Sequence, residues 1–182
     1  SFTDAKSSAH FGNGIHLEMP LTQEFSTLRP SILTGHLKVL NHNQNKSQPN
    51  GAFFEVARTF NLKDDTIHQP LMVAGTRAQK VYEKTWLTPH RVVDAYDVKI
   101  DMINILAAFN VNSYELDAKG APSYYHPGRS VAVKQGPKVL GYFGELHPKV
   151  LQHFQVDGPV ATFEVFIDQL PQTIKRKLAP IA

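Results

Sequence analysis

The sequence predicts an α+β fold, a mostly antiparallel sheet flanked by helices. Three observations carry that expectation. Several strand-like runs are joined by short turns, hairpins outnumber any βαβ crossover, and two segments repeat apolar residues at helical spacing. The 182 residues suit one domain with a buried core, and 42% hydrophobic against 19% charged residues is a globular composition.

The elements follow in order. Phe11-Gly12-Asn13-Gly14 carries turn chemistry, and Ile15 to Met19 alternates like a short strand before Pro20. Pro30 suits the first position of a helix, where its missing N–H costs nothing, and Leu33, Leu37 and Leu40 then recur on one face. The polar run from Asn41 to Gly51 reads as an exposed loop. Ala52 to Phe60 is apolar on both faces at its start, which predicts a central strand. Leu71 to Gly75 is its expected neighbour, reached through a Lys63-Asp64-Asp65 turn. Trp86 to Arg91 reads as a connector. Val98, Met102, Ile105, Leu106 and Phe109 form one helical stripe, with Asp97 placed to cap it. Ser130–Lys134 and Val139–Leu146 flank Gln135-Gly136-Pro137-Lys138 as a hairpin, Pro148 opens a short helix, and Val160 to Ile167 is a last strand.

Composition excludes several classes. With no Cys there are no disulfides, thiolate metal sites or Cys nucleophile. No apolar run approaches the ~20 residues of a membrane span, so a soluble, cytoplasmic protein with no membrane partner is expected. A formal charge of +3 is too mild to announce a nucleic-acid binder. The chain opens on Ser1 rather than Met, which reads as a piece of something longer.

Three groupings could carry chemistry. His126-Pro127-Gly128-Arg129, after Tyr124-Tyr125, presents an imidazole and a guanidinium on either side of a tight turn; such a pair can hold a phosphate, or simply stiffen a loop. Glu145 and His147 end a strand and begin a helix; they can polarise a water, but no third ligand stands at metal spacing, and His147 also reads as a cap with Glu145 paired to Lys149 or Arg129. Arg29, Glu55 and Arg58 place charges on or beside the expected central strand, which implies a polar cleft or a buried ion pair. Glu164 interrupts the last strand, and Lys175-Arg176-Lys177 reads as a solvated end.

Taken in order, these pieces resemble a known family. Leu28-Arg29-Pro30-Ser31-Ile32-Leu33-Thr34-Gly35 is similar to the M/L-R-P/T-S-L-L-P-G segment of bacterial phenylalanine–tRNA ligase beta subunits. Phe53 to Phe60 resembles their L-F-E-I-G-R-V-F strand, and His126 to Val131 their H-P-G-R-S-A turn. Gly141 to Leu151 resembles G-W-F-G-E-L-H-P-K-V-L, and Phe163-Glu164-Val165 the F-E-L strand that follows. Together they span most of residues 28–167.

The resemblance implies a class II aminoacyl-tRNA synthetase-like fold over residues 1–170, with 171–182 a tail toward a further domain. It implies a module without catalytic, cofactor or metal residues of its own, in a ligase that pairs with an alpha subunit as α2β2 and charges tRNA(Phe) with ATP and Mg2+. The magnesium-binding carboxylates would lie upstream of residue 1, and the helix before Ser1 would be missing. Arg29, Glu55, Arg58, His126, Arg129, Glu145 and His147 would then be pseudo-active-site or architectural residues. Class II chemistry needs an Arg in an R-x-E setting and another near the last strand. Here no R-x-E occurs, and no Arg lies between Arg129 and Arg176, where the second would fall. The alternative is a free-standing nucleotide- or phosphate-binding paralogue with His126, Arg129, Glu145 and His147 lining its cleft.

Overall fold

A computed structural model describes residues 2–12, 14–80 and 91–171. Most of the expected connector from Trp86, and the basic run Lys175-Arg176-Lys177, lie outside the described residues.

Three short strands open the fold: β1 (Phe2–Thr3), β2 (Ile15–His16) and β3 (Thr27–Leu28), paired antiparallel in the order β1-β3-β2. A one-turn helix α1 (Ala5–Ser8) sits between β1 and β2, capped by the Asp4 side chain accepting from Ser7 N. The long helix α2 (Leu33–Asn45) follows, then β4 (Gly51–Arg58), the small hairpin β5 (Asn61–Lys63) and β6 (Thr66–His68), and β7 (Leu71–Ala78). After helix α3 (Ala95–Ala108) come β8 (Glu115–Asp117), β9 (Tyr125–Gln135), β10 (Lys138–Leu146), the short helix α4 (Pro148–His153) and β11 (Val160–Phe166).

The main sheet has the order β4-β7-β11-β10-β9-β8, and each neighbouring pair is antiparallel. Alternation along β7 shows how it is layered. Met72, Ala74 and Ala78 join α2 and α4 in one core, while Val73 joins α3 and Phe163 in a second. Leu33, Leu37 and Leu40 of α2 are fully buried, each worth about 1.5–3 kcal/mol of apolar burial. The α+β expectation holds.

Several local expectations need correction. The strand read as central is β4, an edge strand. Its inner side chains meet α2, but Phe54 and Val56 on the other face remain 72% and 54% exposed, so an apolar run on both faces did not mean two covered faces. Pro30 lies outside α2; Ser31 begins the turn, its hydroxyl accepting from Leu33 N. The helix also runs on through Asn45, because its polar end is anchored: Asn41 donates to Gln155 O, and Gln44 both donates to Asp157 O and accepts from Asp157 N. Asp94, not Asp97, is the N-cap of α3, and Asp97 is the reciprocal partner three residues on in a capping box. The strand expected over Ile15 to Met19 is only two residues long.

His126 to Arg129 is a bulge inside β9 rather than a turn before it. Ser130 pairs with Gly144 and Tyr125 with Leu146, so four residues of β9 face the single Glu145 of β10. Gly128 supplies the positive φ this needs (+81°), and Ser130 Oγ donates back to His126 O at 2.9 Å.

Two glycines make opposite predictions. A Cβ on Gly141 of β10 would strike the Glu164 backbone carbonyl, so Gly141→Ala should cost about 1–3 kcal/mol or more. Gly35 inside α2 has ordinary space, its nearest neighbour being Arg29 Nη1 at 3.5 Å, so Gly35→Ala should gain about 0.5–1 kcal/mol. Urea unfolding midpoints check both signs.

Candidate functional site

The sheet face under α2 carries two carboxylates in one row. Register places Glu55 of β4 beside Ala74 of β7, and Ala74 beside Glu164 of β11. Two strand spacings separate the carboxylates by roughly 10 Å. The segment leading from β3 into α2 spans both. Arg29 Nη2 donates to Glu55 Oε1 at 2.5 Å and Nη1 to Oε2 at 3.3 Å, a two-pronged pair. Two residues later, Ser31 Oγ donates to Glu164 Oε1 at 2.7 Å. The Arg29 carbonyl also accepts from Phe60 N at 3.0 Å, tying the same segment to the chain leaving β4.

Glu164 is 1% exposed. Its second oxygen accepts from Tyr124 Oη at 2.7 Å and, more weakly, from Tyr125 Oη at 3.3 Å. Burial pushes this carboxyl above its usual range, and the Ser31, Tyr124 and Tyr125 hydroxyls pull back down without overcoming it. Burial and the adjacent Glu164 push both tyrosines well up. Their rings lie 5.0 Å apart and tilted, and Phe11 packs on Tyr124 at 5.0 Å. The centre of this face is filled by side chains.

His36 adds a third group. Its Nδ1 meets Thr76 Oγ1 at 2.7 Å, and Nε2 lies 3.9 Å from Glu55 Oε2. Burial drives its pKa down to about 4; Glu55 pulls upward and Arg29 pushes further down. Burial also pushes the Glu55 carboxyl up, but hydrogen bonding and charge from Arg29 prevail and hold it below its ordinary value. The hydroxyl and imidazole are hydrogen-bonded, but His36 Nε2 makes no hydrogen bond to Glu55, and Thr76 and His36 are 1% and 4% exposed, out of reach of a substrate.

The sequence-derived residues fall into separate groups. Arg29 and Glu55 come together as the ion pair just described. Arg58 does not join them; it is exposed and donates to Gln69 O at 2.8 Å. His126, Arg129, Glu145 and His147 do cluster. Arg129 Nη1 bonds Glu145 Oε2 at 2.8 Å, and the two imidazoles stack at 6.3 Å. His147 Nδ1 accepts from Lys149 N at the start of α4, the cap role expected of it. His126, Arg129 and Glu145 border a recess of about 500 Å³. With Arg129 committed to Glu145 and 61% exposed, the pair is a surface contact worth about 1 kcal/mol or less, not a free phosphate grip.

Cations elsewhere on the fold are also engaged. Arg77 forks onto Asp101 and Arg91 onto Asp97. Each of the five described arginines therefore has a carboxylate or carbonyl partner. Among the described residues, no group of three or more His, Asp or Glu is placed to hold a metal ion. The residues missed as a site are Ser31, His36, Thr76, Tyr124, Tyr125 and Glu164. Only Glu164, a lone carboxylate in an apolar strand, gave a signal in the sequence.

Comparison with known proteins matches residues 1–167 to the family model described as the phenylalanyl tRNA synthetase beta chain CLM domain. The phenylalanine–tRNA ligase beta subunit of Paramagnetospirillum magneticum is 36% identical over 175 residues, covering 94% of this chain and 22% of that one. The beta subunit of Gluconobacter oxydans is 37% identical over 190 residues, covering all of this chain and 22% of its own length. The chain thus spans under a quarter of these relatives. Among solved structures, a pyrrolysyl-tRNA synthetase from Desulfitobacterium hafniense superposes with a TM-score of 0.63 at 12% identity, over 92% of this chain and 56% of that one. A second structure of that synthetase gives 0.57 at 14% identity, over 81% and 50%. That likeness shows a class II synthetase fold.

The buried imidazole makes a pH prediction. His36 binds its proton far less readily folded (about 4) than unfolded (6.5), so the native state holds fewer protons between those values. Its contribution is complete above pH 6.5 and is lost as pH falls toward 4, on the order of 2–4 kcal/mol. Glu164 works with the opposite sign, since acid relieves its burial. Urea midpoints for the parent and His36→Gln should therefore converge as pH drops through this window.

Proposed function

Because the chain belongs to the family of the phenylalanyl-tRNA synthetase beta chain CLM domain, we propose that residues 1–170 serve as a non-catalytic structural module of a phenylalanine–tRNA ligase. In this reading the full beta chain assembles with an alpha subunit as α2β2 in the cytoplasm. The assembly charges tRNA(Phe) with phenylalanine, using ATP and Mg2+ at sites that this module does not supply.

One observation carries the non-catalytic part. The sheet face that α2 crosses is closed by the buried Glu164 and its roof of Ser31, Tyr124 and Tyr125. A triphosphate needs cations and an open floor, because the charge developing on phosphorus must be met by preorganised positive groups. Here the floor offers carboxylates, and the nearest guanidinium, Arg29, is spent on Glu55. No Arg lies between Arg129 and Arg176, where a second Arg would fall; the last strand runs out into Ile167-Asp168-Gln169-Leu170, and Asp168 accepts from Leu71 N at 2.8 Å. No helix of the described residues is long and apolar enough to cross a membrane.

Calorimetric titration of the 182-residue chain with ATP and Mg2+ should give no binding heat, and the chain should support no pyrophosphate exchange. Micromolar ATP binding would refute the non-catalytic reading. Separately, the full beta chain should co-purify with the alpha subunit, and failure to do so would refute the assembly reading.

A further inference from the structure

Edge strand β4 is open along its outer side. Its register with β7 runs unbroken from Gly51 opposite Ala78 to Arg58 opposite Leu71. One step further on, Thr59 N donates to Pro70 O at 3.1 Å. In an antiparallel ladder, residues bonded to one neighbour alternate with residues whose N–H and C=O point the other way. Counting back from Thr59, the odd-numbered residues of β4 bond to β7, and Ala52, Phe54 and Val56 turn their backbone groups outward. This open stretch has definite ends. Before it, Asn50 Oδ1 accepts from Lys80 N at 3.2 Å; after it, Arg29 O accepts from Phe60 N at 3.0 Å. Among the described residues no further strand pairs with it, and Phe54 and Val56 are exposed. The usual guards of a sheet edge are missing too. Residues 52–56 contain no Lys, no Pro and no bulge, and their one charge, Glu55, is neutralised by Arg29.

We propose that this edge pairs with the same edge of a second copy of the chain, antiparallel about a two-fold axis through Phe54. The sequence complements itself in that register, which is what an isologous contact requires. Phe54 faces its own copy, and Ala52 faces Val56 in both directions. These are the residues with outward backbone groups, so each pair exchanges both of its hydrogen bonds. The side chains match as well. The Phe54 rings meet on the axis, and small Ala52 leaves room for Val56. On the α2 face, Glu55 comes opposite Phe53 rather than another carboxylate. Neighbouring registers fit worse. An axis through Val56 sets Phe54 opposite Arg58 and meets the closure at Phe60; an axis through Ala52 leaves Val56 unpaired and meets the closure at Asn50. An apolar groove of about 740 Å³ runs between α3 and β4, with Phe54 and Val56 in its wall. With Phe54 on the axis, the grooves of the two copies meet there and enlarge the apolar area the contact covers. The inference rests on the register of β4 and is independent of both the non-catalytic and the alpha-subunit readings.

The test is disulfide trapping in the full-length beta chain, with mass spectrometry of the linked peptides. Directly paired residues of a bonded pair lie about 5.5 Å apart at Cα, within disulfide reach. Phe54→Cys should therefore link to position 54 of a second copy under mild oxidation. Ala52→Cys alone should link to itself at least about tenfold less, because the two-fold sets its copy roughly 13 Å away along the strand. Mixing Ala52→Cys chains with Val56→Cys chains should restore a link, now between the two variants. All three positions carry exposed side chains, so the substitutions leave the core intact. No 54–54 link, a 52–52 link formed as readily as 54–54, or no link between the mixed variants would overturn the proposal.

Discussion

Two carboxylates hold the start of α2 onto the sheet, and much of the architecture depends on that attachment. Arg29 grips Glu55 on the edge strand, while Ser31 donates to Glu164 two strands away. With only Pro30 between them, the segment cannot shift along the sheet without losing one bond or the other. The position of α2 then sets where Leu33, Leu37 and Leu40 meet Met72 and Ala74. Those polar contacts are costly to break singly. An orphaned buried carboxylate loses its partners while keeping its desolvation penalty.

The same attachment bears on function. In the proposed reading, the face that could cradle a nucleotide is instead used to brace the fold. Glu164 collects three hydroxyls from two separate segments, and tyrosine rings occupy the space above it. A carboxylate raised by burial suits bracing better than binding an anion. The opposite face, with its apolar groove, is where the module has surface left to offer.

Much of the fold was legible because its signals are local. The β9–β10 hairpin follows from two strand-like runs around Gly136-Pro137, and α3 from its apolar stripe. Errors arose where long-range partners decide. Strand β4 reads as central, yet its place at the edge depends on which strands pair with β7, and nothing inside Ala52 to Phe60 reports that. Likewise Asn41 and Gln44 look like loop residues until Gln155 and Asp157, more than a hundred positions away, supply their hydrogen bonds. The candidate site shows the same divide. The pairing of Arg129 with Glu145 was among the expected options because a hairpin brings them together. The convergence of Ser31, Tyr124 and Tyr125 on Glu164 was not visible, since sequence separations of 133, 40 and 39 leave no local pattern.

The most direct test of the central claim, that the buried carboxylate braces the module rather than serving chemistry, is Glu164→Ala in the beta chain of the assembled ligase. Two quantities are read: the yield and unfolding midpoint of the complex, and phenylalanine-dependent pyrophosphate exchange per mole of assembled complex. The account predicts a lower midpoint and yield, with exchange per complex within about twofold of the parent, because orphaned hydroxyls and a cavity weaken the fold alone. A complex that assembles with unchanged yield and midpoint, yet loses about tenfold or more of its exchange activity, would contradict it.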